Sequence, residues 1–137
     1  MKFALATVAL LVATSCASSA RSDTSDPLID ELTMLAGSGA TQCGLVPLGR
    51  DPTEAWACAQ SADRANNPHW FAVQLQGIDS DVWMASGLTS SGQRFILTYD
   101  SNYMGGAGDQ PRYTREICNG QVVLAPSRQR VLQCSRR

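Results

Sequence analysis

The apolar positions change their period once along the chain, and the change divides it into a helical part and a strand part. From Asp26 the pattern is helical: Leu28, Ile29, Leu32, Leu35 and Ala36 recur on one face at spacings of three and four. Asp26-Pro27 supplies a capping carboxylate and then a proline where no N–H is needed, and Gly37 supplies the stop. A second start signal, Asp51-Pro52-Thr53-Glu54, places Glu54 where it would complete a capping box. Ala55, Cys58, Ala59, Ala62 and Ala65 then line one face with side chains small enough to lie close against a sheet. Asn66-Asn67-Pro68 ends this second helix.

After Pro68 the period falls to two. Phe71, Val73 and Leu75 alternate with Ala72, Gln74 and Gln76; Val82, Met84 and Leu88 alternate with Trp83, Ala85 and Thr89. Phe95, Leu97 and Tyr99 follow the turn Ser90-Ser91-Gly92. Tyr113, Arg115 and Ile117 form a fourth run before Asn119-Gly120, a strong hairpin signal. Val122 to Ala125 and Arg130 to Cys134 give two more short strands around Pro126-Ser127. The expected fold is α+β: two N-terminal helices packed on one face of a curled antiparallel sheet of five or six strands, as one globular domain over residues 26–137.

The N-terminus carries an address. Lys2 precedes an apolar run from Phe3 to Ala13. That is too short for a bilayer, which takes about 20 helical residues, and has the layout of a secretory signal. Ala13-Thr14-Ser15-Cys16 resembles the lipobox of bacterial lipoproteins, with Ala13 where leucine is usual. The resemblance implies a signal peptide over residues 1–15, a lipid anchor on Cys16 and a flexible tether over residues 16–25. With Ala17 rather than aspartate next, it also implies the periplasmic face of the outer membrane. The alternative is cleavage after Ala20, a signal of residues 1–20, which would release a soluble periplasmic or secreted protein.

Either cleavage leaves Cys43, Cys58, Cys118 and Cys134, an even set that predicts two disulfides in an exported, disulfide-stapled domain. No Cys-x-x-Cys pair is present, which excludes the usual four-cysteine zinc site. Of the three connectivities, Cys43–Cys58 with Cys118–Cys134 is favoured because it closes short loops, each bridge stabilising by about 3 kcal/mol on the loop-entropy account.

Composition narrows the function classes. The 137 residues are 44% hydrophobic and 17% charged with a net charge of −1, enough for one core and no basis for bulk attraction to nucleic acid. The charge is nevertheless unevenly spread. From Cys16 to Asp109 four arginines face eleven acids, whereas from Gln110 onward Arg112, Arg115, Arg128, Arg130, Arg136 and Arg137 face Glu116 alone. Such an arginine-rich end suits an anionic partner, and equally suits protection of edge strands and balance of the acidic half. The glycine-rich stretch from Tyr103 to Pro111 lacks the Lys-Ser/Thr of a phosphate loop. Its Tyr103 and Met104, with Arg112, Arg115, Arg128 and Arg130, are the candidate partner contacts.

Catalytic chemistry is thinly supplied. His69 is the only histidine, with no Gly-x-Ser-x-Gly elbow and no His-x-x-x-His pair. Asp79 and Asp81 lie on a turn and Asp100 and Asp109 flank a later loop; brought together they could hold calcium or act as an acid/base pair, but their spacing matches no calcium loop and aspartate there is ordinary turn chemistry. No cofactor and no metal are expected. The leading expectation is a non-enzymatic, lipid-anchored binding module of the bacterial envelope with a protein partner there. A small hydrolase using Asp79, Asp81 or Asp100, and a structural envelope component, are the alternatives. Ser91-Gly92-Gln93-Arg94-Phe95 is similar to the Ser-Gly-x-x-Tyr loop of periplasmic and membrane-bound lysozyme inhibitors, with Phe95 in place of the tyrosine. That similarity implies an inhibitor or immunity role.

Overall fold

A strand lies between the two helices, and this one element reorganises the expected architecture. The computed structural model describes residues 26–106, 110–125 and 131–135. The signal segment, Cys16, the tether, Arg128 and Arg130 lie outside them. Helix α1 (Pro27–Ala36) begins where the Asp26 carboxylate accepts the Leu28 N–H at 2.9 Å, and ends where the Gly37 N–H donates to Thr33. Strand β1 (Thr41–Val46) follows, then α2 (Thr53–Arg64) and strands β2 (His69–Leu75), β3 (Val82–Leu88), β4 (Arg94–Asp100), β5 (Arg112–Cys118), β6 (Val122–Leu124) and β7 (Leu132–Cys134). The start of α2 does not use Glu54. Asp51 Oδ1 accepts instead from the Thr53 hydroxyl at 2.7 Å and the Thr53 N–H at 2.9 Å, and these bonds hold its carboxyl below the usual range.

The main sheet has the order β1-β2-β3-β4-β5, and β6 and β7 form a separate antiparallel pair. Strand β1 runs parallel to β2, while the other neighbours are antiparallel. The expectation of an antiparallel sheet behind two leading helices is therefore corrected. The sheet is mixed, and α2 is the crossover of a β1-α2-β2 unit, because parallel neighbours need a long connection.

The helices also do not share a face. Leu28, Leu32 and Ala36 of α1 pack with Trp70, Ala72, Ala85, Phe95, Leu97 and Tyr99. Ala55 and Ala59 of α2 pack with Phe71, Val73, Met84 and Ile96. These two sets alternate along β2, β3 and β4, so they point to opposite sides of the sheet. The cause is in the strands: β2 is buried on both sides from His69 to Val73, and only its far end becomes half-exposed at Gln74. Apolar residues at four consecutive positions, Trp70 to Val73, need a cover on each face. The β6–β7 hairpin completes the α2 side, with Leu132 fully buried beside Met84 and Cys118.

Both disulfides have the favoured connectivity. Cys43–Cys58 ties β1 to α2 and Cys118–Cys134 ties β5 to β7, with Cα separations of 5.6 and 5.2 Å that suit a bridge. In β1 the first bridge exploits a bulge. Gln42 pairs with Trp70 and Gly44 with Phe71, so Cys43 is the extra residue, and Gly44 takes a φ of 112° that side chains rarely adopt. The disulfides fit an oxidising, exported environment. Among the described residues no helix is long and apolar enough to cross a membrane.

Candidate functional site

Among the described residues, two of the places that gather polar or exposed side chains lie at opposite ends of the strands. The first is a groove of about 390 Å³ where the β2–β3 and β4–β5 connections meet, lined by Ile78, Asp79, Asp100, Asn102, Tyr103 and Met104 among others. Local turn chemistry builds it. Asp100 Oδ1 accepts the Asn102 N–H at 3.1 Å, turning the chain out of β4. The Ser101 N–H donates to the Asp81 carbonyl at 3.0 Å, while the Asp81 N–H donates to Ser101 Oγ at 2.8 Å, which laces the two connections together. The Asn102 side-chain amide donates to the Gly106 carbonyl at 3.1 Å and shapes the loop that carries Tyr103 and Met104.

On this frame three large apolar side chains stand in solvent: Ile78 fully, Met104 at 71% and Tyr103 at 54% exposure. The Arg112 guanidinium lies 4.1 Å from the Tyr103 ring centroid, a cation–π contact that fixes the ring. The structure thus brings Tyr103, Met104 and Arg112 of the expected contact set together. It separates Arg115, which alternates with Arg112 along β5 and projects from the α1 side, opposite Leu97. Of the carboxylates, Asp79 and Asp100 share the groove. Asp81 does not line it and accepts the Gln74 side-chain amide at 3.2 Å. Among the described residues no group of three His, Cys, Asp or Glu side chains could hold a metal.

The second place is a cavity of about 90 Å³ beneath the C-terminal half of α2, lined by Trp56, Gln60, His69, Ser86 and the Asp63–Arg94 pair among others. His69 and Ser86 are each 4% exposed. His69 Nδ1 lies 3.0 Å from the Asn67 carbonyl, so the Nδ1–H tautomer donates there and leaves Nε2 as an acceptor. Asp63 makes a two-point ion pair with Arg94, Nε to Oδ1 at 2.8 Å and an Nη to Oδ2 at 3.0 Å. A serine, a histidine and an aspartate therefore converge, but the acid orients Arg94 rather than the imidazole, and a triad is not assembled. The sequence reading missed this cavity. Its one signal was Ser86, a polar residue on the otherwise apolar α2 side of β3.

The segment that is similar to lysozyme inhibitors is a tight connection between β3 and β4. The Thr89 N–H donates to the Gln93 carbonyl at 2.9 Å and the Gly92 N–H to the Thr89 carbonyl at 3.0 Å, while Arg94 is engaged by Asp63 and Phe95 is fully buried. Comparison with protein families, with curated proteins and with solved structures finds no match for this chain.

Proposed function

We propose that the chain is a non-enzymatic binding module of the bacterial envelope, held at a membrane by lipid on Cys16, that contacts a protein partner through the Ile78–Tyr103–Met104 rim. The observation that carries this reading is the clustering of those three exposed side chains on one laced frame. Solvent-facing methionine and tyrosine on a rigid support are the residue types that anchor protein contacts, and a fixed ring loses little freedom on binding. Two disulfides serve the same end, since a stapled domain keeps its contact surface in shape outside the cell.

The test uses the oxidised chain as bait in envelope extract, comparing wild type with the Tyr103→Ala/Met104→Ala double variant. The expected outcome is a captured partner that the double variant fails to retain at unchanged melting temperature. Equal capture by both, or a hydrolytic activity that Asp79→Ala or Asp100→Ala abolishes, would overturn the reading. The anchor is tested separately by radioactive fatty-acid labelling, expected in wild type and absent in Cys16→Ser; no label in either removes the lipid from the proposal.

A further inference from the structure

Strand β5 closes the main sheet at one side, and no strand pairs with its outer edge among the described residues. Every residue from Gln110 to Ile117 is exposed. A seven-residue edge is a template for another strand, and native edges of this kind are normally short, bulged, covered or charged. Among the described residues this edge is neither short nor bulged, and its charges are of both signs in a particular order, Arg112-Tyr113-Thr114-Arg115-Glu116-Ile117.

The order decides which partner fits. In an antiparallel pair, residues directly opposite each other project to the same face. Two identical strands related by a twofold axis must therefore meet in a register centred on a residue. Centred on Arg115 or on Glu116, the register sets like charges directly against each other, which is destabilising. Centred on Tyr113, it pairs no charges within the strand. Centred on Thr114, it sets Arg112 opposite Glu116 twice and Tyr113 opposite Arg115 twice, and it lays Pro111 against Ile117. Both faces of the edge are then self-complementary.

We infer that two copies of this chain associate through their β5 edges, antiparallel and centred on Thr114, joining the two five-stranded sheets into one. The surroundings of Tyr113 supply a second, independent complementarity. Its ring lies 5.1 Å from that of Tyr99, and its hydroxyl donates to the Pro27 carbonyl at 3.3 Å, at the acidic N-terminus of α1. Asp26, Asp30 and Glu31 act electrostatically on its phenol. Arg115 of the second copy arrives at this ring and finds both an aromatic face and a cluster of carboxylates. Ile117, 43% exposed, gains a cover from Pro111 of the second copy. This association goes beyond the partner reading above, which rests on Tyr103 and Met104.

Sedimentation equilibrium of the oxidised chain tests it, with circular dichroism confirming that each variant is folded. Wild type is expected to show a concentration-dependent monomer–dimer equilibrium. Arg112→Glu and Glu116→Arg each place like charges opposite twice, and each is expected to weaken the dimer at least about tenfold. Mixing the two single variants restores both pairs, because at positions 112 and 116 one chain then presents two acids and the other two arginines; the mixture is expected to dimerise where neither variant does alone. Tyr103→Ala/Met104→Ala is expected to dimerise like wild type, which separates this inference from the partner-binding reading. A wild type that stays monomeric at every concentration, single reversals that leave the equilibrium unchanged, or a mixture that fails to associate would each overturn it.

Discussion

Tyr113 joins β5 to the start of α1, and its phenol reports on that junction. Burial raises its pKa above the ordinary value, and the negative charges of Glu31, Asp26 and Asp30 add to the effect. With the folded value raised, the contribution to stability is complete below the unfolded phenol value of about 10 and is lost as pH rises through the folded one. NMR titration of the Tyr113 ring carbon should therefore place its midpoint above that of a free phenol, and Glu31→Gln should bring it back part of the way. A midpoint that ignores Glu31→Gln would remove the electrostatic part of the account. At this scale the sequence was partly legible. Tyr103 and Met104 could be singled out because large apolar side chains in a glycine-rich loop have little to pack against. The cavity around His69 and Ser86 could not, since it exists only once α2 is laid over β2 and β3, and the single polar interruption at Ser86 does not say what covers it.

The elements that were legible are those whose signal is local. Helix α1 carries its cap, its proline, its apolar stripe and its stop within a dozen residues, and strands β2 to β5 follow the change of period. Strand β1 was hidden because Thr41-Gln42-Cys43-Gly44-Leu45-Val46 has no alternation; the bulge at Cys43 breaks the period just where it would have shown. The two-faced burial of the sheet was hidden for a related reason, because Phe71, Val73 and Leu75 alternate with Gln74 and Gln76 at the far end of β2, and that alternation predicts one dry face. The β6–β7 hairpin is the element with least support of its own, being two three-residue strands tied down by Cys118–Cys134 and Leu132. Isolated two-stranded hairpins are marginal in water. Replacing both cysteines by serine should cost about 3 kcal/mol on the loop-entropy account. Hydrogen exchange should show Val122 to Leu124 and Leu132 to Cys134 losing protection while α1 keeps most of its own. Equal loss across the whole chain would mean that the bridge acts on global folding rather than on the hairpin.

At the scale of the molecule, the decisive property is that one sheet serves two cores. The α1 cluster and the α2 cluster lie on opposite sides of β2, β3 and β4 and share no side chain, yet each needs the same backbone ladder in place. Gly87 shows how closely the layers are fitted: a Cβ there would overlap the His69 carbonyl oxygen and sit 2.7 Å from the Phe95 ring, so the α1 side has no slack against β2. A sheet whose loss exposes both clusters should make them unfold together, because neither helix can keep its packing once the strands separate. Leu32→Ala tests this, since Leu32 is fully buried in the α1 cluster and truncation of such a side chain costs about 2–5 kcal/mol. The slowest-exchanging amides of α2, on the far side of the sheet, should lose as much protection as those of β3. If β1, α2 and β2 keep their protection while α1 and β3 to β5 lose theirs, then the β1-α2-β2 unit with its Cys43–Cys58 bridge is a separate cooperative unit, and the shared-sheet account fails.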